Sequence, residues 1–207
     1  MQTKQKISFI GYSGHSYICI EIAKQMNFDV IGYYEITQSN KNYFDLTYLG
    51  REDDFEANEG LLFCSIGDNL TREKIYNKIS KIKIGLFALL KHPTAIVSAT
   101  SSIGDNTLIS AGAIINALSV IETGCIINTG AIVEHDCTIK AFAHIAPGAV
   151  IAGNVTVGNR SFVGAGSVVK QGVRIGNDVI IGAGAVVIKD VSDNQIVAGN
   201  PAKPLNK

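Results

Sequence analysis

The chain has 207 residues, 46% of them hydrophobic and 17% charged. Lys plus Arg and Asp plus Glu each number 18, a balance that argues against nucleic acid or an anionic membrane surface as the main partner. No apolar run approaches the roughly 20 residues of a membrane-spanning helix, and Met1 to Lys6 lead into a strand without a signal-peptide pattern, so a cytoplasmic protein of one or two domains is expected.

In chain order, Lys6 to Ile10 reads as a strand, Gly11 to Ser16 as a tight turn, and Tyr17 to Met26 as a helix with Ile18, Ile22 and Met26 on one face. Asp29 to Tyr34 reads as a second strand ending at Glu35, and residues 37–60 as polar and irregular. Leu61 to Ile66 is a third strand, followed by Gly67-Asp68-Asn69 and a helix from Thr71 to Ser80; Lys83 to Leu90 is expected to be a fourth strand. Strands alternating with helices predict a small parallel sheet, which binds ligands beyond the carboxyl ends of its strands. Two loops lie there. Gly11-x-x-Gly14-His15-Ser16 opens a helix, so its amides can face a phosphate, although a bend that merely needs glycine would read the same. Gly67-Asp68-Asn69 with Arg72 offers an amide and a guanidinium, or else a helix cap with a surface arginine. Together the loops suggest a nucleotide or sugar-phosphate pocket.

The pattern changes near His92-Pro93. From Val97 to Val187, sixteen successive positions six residues apart are all Ile or Val. Four residues after each lies a small side chain, as at Ala113, Ser119, Cys125, Ala131 and Cys137. Neither a simple strand nor a helix has this period; a fixed repeat of six marks a solenoid whose units bury a shared core by stacking. Cys19, Cys64, Cys125 and Cys137 form no CxxC pair, and the last two sit in the small inward column as core residues.

Chemistry in such an array comes from residues that break its pattern. Glu134-His135-Asp136 places three ionisable groups in a row at a corner, and a histidine beside a carboxylate suits a general base. The alternative is a solvated corner with incidental charge. His144 follows nine residues later, on a different face and too far for direct contact within one chain; side-by-side packing of subunits could bring the two histidines together, which points to a site shared between subunits. No metal-ligand cluster is apparent.

The hexapeptide array resembles that of the left-handed β-helix acyltransferases. The whole chain resembles the sugar O-acetyltransferase family, which includes sialic acid O-acetyltransferases and UDP-4-amino-sugar N-acetyltransferases of the bacillosamine pathway. The matching segments are Gly11-Tyr12-Ser13-Gly14-His15, Ile66-Gly67-Asp68-Asn69 with Arg72, and His92-Pro93-Thr94-Ala95. They continue through Val133-Glu134-His135-Asp136, Ala152-Gly153-Asn154-Val155 and Gly199-Asn200-Pro201-Ala202-Lys203. The resemblance implies a Rossmann-like sugar-nucleotide-binding domain over residues 1–92 and a left-handed β-helix acetyltransferase domain over 93–207. It implies a homotrimer with acetyl-CoA in the grooves between neighbours and acetylation of a nucleotide-linked 4-amino sugar, such as a UDP-4-amino-4,6-dideoxy sugar, for surface glycans. By the same resemblance His135 is the base, Asp136 raises its basicity, His144 lies near the thioester and the Gly153 backbone donates to the acetyl carbonyl. Ala165 and Ala183 contact the cofactor through the main chain, while Ser13, Gly14, His15, Glu35, Gly67 and Asn69 line the sugar-nucleotide pocket. UDP-sugar binders in the family often carry paired aspartates where this chain has Tyr34-Glu35-Ile36.

Rival readings are weaker. A γ-class carbonic anhydrase needs three histidine ligands at an interface, and only His135 and His144 are available in the array. A fused sugar-nucleotide pyrophosphorylase needs a larger first domain. A non-catalytic assembly module leaves the His135-Asp136 pair without a role. O-acetylation of sialic acid is the closest competitor, because the same base can activate a hydroxyl.

Overall fold

The structure, a computed structural model, describes residues 4–55, 60–81 and 86–205. The first part contains β1 (Lys6–Ile10), α1 (Gly14–Gln25), β2 (Asp29–Tyr34), β3 (Thr47–Gly50), β4 (Leu61–Cys64) and α2 (Asn69–Ile79). The four strands are parallel in the order β3-β2-β1-β4. Central β1 is covered on both faces, which is why Ile7, Phe9 and Ile10 are all buried. The chain winds outward from β1 through β2 to β3, then crosses to place β4 on the other side of β1. The switch point, where ligands enter such sheets, therefore lies between the loops that follow β1 and β4.

Three details differ from the sequence expectation. The segment expected to be irregular contains β3 and a short 3-10 turn at Glu52–Asp54; four half-buried residues at a sheet edge leave little periodic signal. Helix α1 starts at Gly14, so His15 belongs to its first turn, where Ser16 Oγ accepts from the Ser13 amide. Of the expected strand from Lys83 to Leu90, residues 83–85 lie outside the described residues. Phe87 bridges β4 at Leu62, and Leu90–Lys91 is already the first strand of the solenoid.

The rest is a left-handed parallel β-helix whose two-residue strands, as far as Val187, are each hydrogen-bonded to a strand eighteen residues away, as in Leu108–Ile126–His144–Phe162–Ile180; Ile196–Ala198 then pairs with Ile180–Ile181 and, antiparallel, with Lys203–Pro204. Three sheets form its faces. From Val97 to Val187 the second residue of each strand points inward, and from Ile109 on this Ile/Val column is at most 2% exposed. Full burial of such side chains contributes about 1.5–3 kcal/mol each. A third column completes the repeat. Every sixth residue from Asn106 to Gly184 has φ between 49° and 75°, the left-handed conformation that turns each corner.

The outward residues differ by face. On the first face Leu90, Leu108 and Ile126 are buried in one cluster with Phe9, Tyr12, Ile20 and Phe63, so the α/β domain caps the early coils. The second face is aliphatic throughout: Ile96, Ile114, Ile132, Val150, Val168 and Val186. The third carries Ser102, Val120, Thr138, Thr156 and Arg174.

Candidate active site

His135 and Asp136 turn the corner between the second and third faces. Asp136 occupies a left-handed slot (φ 59°), and its carboxylate Oδ2 lies 2.8 Å from His135 Nδ1. An ionised carboxylate only accepts, so Nδ1 carries the proton and Nε2 presents its lone pair outward. Nε2 has no hydrogen-bond partner among the described residues, and the side chain is 54% exposed. One coil on, Gly153 underlies the ring: a Cβ there would stand 2.7 Å from Nε2. The absence of a side chain at 153 is what lets the imidazole lie across the corner. The Gly153 amide donates to no acceptor among the described residues, and neither do those of Ala165 and Ala183. The latter two stack in successive coils at the opposite edge of the aliphatic face. His135, Asp136 and Gly153 are thus brought together, and Ala165 with Ala183, but one whole face separates the two groups.

His144 points elsewhere, into the seam between the two parts of the chain. Its ring lies 6.4 Å from that of His15 and 5.0 Å from Phe162. Thr129 N donates to Asn128 Oδ1, which turns Asn128 Nδ2 toward His144 Nε2 at 3.1 Å, so the His144 proton resides on Nδ1. Burial, with the nearby Arg72 cation second, pushes His144 down to about 3 and His15 down to about 4. Both are neutral near pH 7.

Arg72 corrects the sequence expectation. Its guanidinium does not face a ligand; it is only 1% exposed. Nε donates to Gly124 O, Nη1 to Ile66 O and Gly67 O, and Nη2 to Asn69 Oδ1 and Phe142 O, all at 2.8–3.0 Å. It ties the loop after β4 to two solenoid corners. Asn69 joins the seam, since its Nδ2 donates to Arg160 O at 2.8 Å. Asp68 caps α2 through the Thr71 amide.

At the switch point a cavity of about 350 Å³ is lined by Gly11, Ser13, Glu35, Glu52, Gly67 and Asp68, among others. The Glu35 carboxylate accepts from the Tyr12 and Ile36 amides, both at 3.0 Å, which fixes it at the end of β2. Gly11 adopts φ +94° and needs glycine for its turn, whereas a Cβ at Gly14 would meet nothing within 4 Å. Gly14, next in the chain to the lining residue Ser13, therefore leaves open space at the start of α1. A second cleft of about 410 Å³ continues from Gly67, Asp68 and Asn69 to Arg160, Phe162 and Ile180 on the β-helix.

Comparison with known proteins fits both parts. Residues 6–79 match the PglD N-terminal domain family, and residues 154–189 match the bacterial transferase hexapeptide (six repeats) family. The acetyltransferase domain of PglB from Neisseria gonorrhoeae FA1090 is 32% identical over 98% of this chain and 100% of that one, with a TM-score of 0.90; it has also been solved with acetyl coenzyme A. PerB from Caulobacter crescentus, solved with CoA and GDP-perosamine, is 35% identical over 97% of each chain, with a TM-score of 0.91. The chain belongs to the left-handed β-helix sugar N-acetyltransferases. WeeI from Acinetobacter baumannii AYE, 24% identical over 96% of this chain and 99% of that one with a TM-score of 0.86, shares the fold.

For a sugar N-acetyltransferase, two signals in this sequence carry more than the six-residue period alone reveals. The outward column 96, 114, 132, 150, 168, 186 is aliphatic at an eighteen-residue spacing, which marks one face as different. The left-handed column is Gly, Asn or Asp except at Leu118, Phe142 and Arg160. Among the described residues no helix is long and apolar enough to cross a membrane, and no group of three or more His, Cys, Asp or Glu could hold a metal ion.

Proposed function

We propose that this acetyltransferase moves the acetyl group of acetyl-CoA to the amine of a nucleotide-linked amino sugar, with His135 as general base. The observation that carries this reading is the His135–Asp136 pair: a 2.8 Å contact fixes the tautomer and leaves Nε2 free above Gly153. As the acceptor nitrogen bonds to the acetyl carbonyl carbon, His135 Nε2 takes the proton it sheds. Asp136 stabilises the imidazolium, the carbon–sulfur bond breaks, and the thiolate of CoA departs. The Gly153 amide is the donor for the carbonyl oxygen as it gains charge. Ala165 and Ala183 hold the cofactor through their main-chain amides.

The acceptor nucleotide occupies the switch-point cavity beside Ser13, Gly14, Glu35 and Gly67. The PglB domain and PerB, solved with acetyl coenzyme A and with CoA plus GDP-perosamine, support the substrate classes.

The working form is a homotrimer. The aliphatic face between the His135 corner and the Ala165–Ala183 corner is the surface to be covered. Packing it against a neighbour brings one chain's Gly153 edge to the next chain's Ala165 edge, which a single chain keeps a full face apart. His144 and the seam then border the acceptor's path from the cavity. The test is a thiol-release assay with acetyl-CoA against UDP-, GDP- and dTDP-linked amino sugars, with sialic acid as the hydroxyl acceptor. Turnover with a nucleotide amino sugar supports the proposal, and turnover with sialic acid alone would replace it with O-acetylation.

A further inference from the structure

Three residues at left-handed corners are neither Gly, Asn nor Asp: Leu118 (φ 61°), Phe142 (φ 59°) and Arg160 (φ 57°). Side chains with a bulky Cβ substituent are disfavoured there, so each calls for a compensating contact. Phe142 has one: its ring lies over Gly124 and edge-on to Tyr76 at 5.5 Å, with 4% of the residue exposed. Arg160 has one as well, pairing with Glu73 at 3.0 Å and with Asp178. Leu118 has none. It is 61% exposed and stands outside the three clusters of packed hydrophobic residues.

Its position gives it a purpose. Leu118 occupies the same corner slot as Asp136, one coil earlier, where the Asp136 amide donates to Ala117 O at 3.0 Å. Adjacent coils stand about 4.8 Å apart, so an exposed leucyl side chain lies one strand spacing from the His135–Asp136 pair. Val120, also exposed, points outward two residues on. Gly153 lies on the opposite, later-coil side of His135. With the acetyl carbonyl at Gly153, the Leu118 side of His135 is the side left for the sugar ring that carries the attacking amine.

We propose that Leu118 is a specificity-determining residue that packs against an apolar edge of the acceptor sugar, such as the methyl group of a 6-deoxy sugar. This rests on the reading of His135 as the base and Gly153 as the oxyanion donor. An apolar contact discriminates against an added hydroxyl by about 10²-fold at most in kcat/KM.

The test uses Leu118→Asn, because asparagine already fills this slot at 106 and 154 and suits the backbone. Wild type and variant are assayed with a 6-deoxy nucleotide amino sugar and its 6-hydroxy counterpart, alongside the KM for acetyl-CoA and the mass in solution. The expected result is a fall of about tenfold or more in the preference for the 6-deoxy acceptor, with acetyl-CoA KM and mass unchanged. An unchanged preference in an active variant overturns the assignment alone. A drop in mass also overturns it, by making Leu118 a contact between copies. No transfer by wild type to either sugar overturns this inference and the proposed function together.

Discussion

The His135 corner and the seam that holds His15 and His144 both set histidine beside polar or charged partners, and they are built for opposite ends. At the His135 corner one ring nitrogen is fixed by Asp136 and the other faces solvent, so a proton can arrive and leave. In the seam, His15 and His144 are held neutral by burial and by the Arg72 cation, whose five hydrogen bonds all end on groups within the chain. The first site spends little on structure and keeps its lone pair available. The second gives up proton exchange near neutral pH to fix one domain on the other. With His135 as the proposed base, chemistry and architecture fall to different histidines only nine residues apart.

The sharpest way to break this contrast is His135→Ala. General-base catalysis is typically worth about 10²–10⁴ in rate. The variant is expected to lose that factor in kcat while its thermal midpoint stays at the wild-type value, because the side chain is more than half exposed. Steady-state kinetics beside a melting curve check it. Wild-type kcat at neutral pH would remove His135 from the mechanism.

Arg72→Met should do the reverse. Removing a buried cation leaves the carbonyls of Gly124 and Phe142 without their donor. Two buried carbonyls left unpaired cost about 1–3 kcal/mol each, together a drop of roughly 4–24 °C in midpoint for a chain of this size. Calorimetry reads it directly. Retained stability with lost acceptor binding would return Arg72 to the ligand role that its sequence position suggests.

That suggestion shows where sequence reading stops. The β-helix is legible because its contacts repeat: an Ile at 127 predicts its neighbours at 109 and 145, and a left-handed slot at 136 predicts 118 and 154. The His135–Asp136 pair is legible because the partners are adjacent in the chain. The carbonyls that bury Arg72 belong to residues 124 and 142, and His15 meets His144 across most of the chain, so no local window contains either contact. Strand β3 escaped for another reason: Thr47-Tyr48-Leu49-Gly50 is short, at the edge and half-exposed, and its identity comes from pairing with β2.

The seam's acid sensitivity sharpens the comparison further. His144 has a folded value near 3 against about 6.5 when unfolded. Between those values the unfolded chain binds the extra proton, so the seam's contribution is fully present above about pH 6.5 and is lost as pH falls toward 3. The steepest slope for one such group is about 1.4 kcal/mol per pH unit. Urea unfolding at pH 6.5, 5.5 and 4.5 should show stability falling with acid. His144→Phe, which continues the ring already present at 162 in the same column, should flatten that fall. An unchanged slope would mean that His144 is already protonated in the folded seam.

The smallest expected effect concerns Gly14, which separates a glycine required by backbone from one required by space. Gly11 turns with φ +94° and tolerates no other residue cheaply, but Gly14 is the first residue of α1, outside the left-handed region, with nothing within 4 Å of an added Cβ. The fold therefore accepts Gly14→Leu, and leucine is a better helix former than glycine by several tenths of a kcal/mol. The midpoint should hold or rise slightly. If the open space is where the acceptor's nucleotide lies, the leucine side chain fills it, and the acceptor KM should rise by about tenfold, equivalent to about 1.4 kcal/mol. The acetyl-CoA KM should stay put, because the proposed site for that substrate is at the β-helix corners. Equal rises in both KM values would mean that the substitution acts through the seam, and no rise in either would place the acceptor away from the loop after β1.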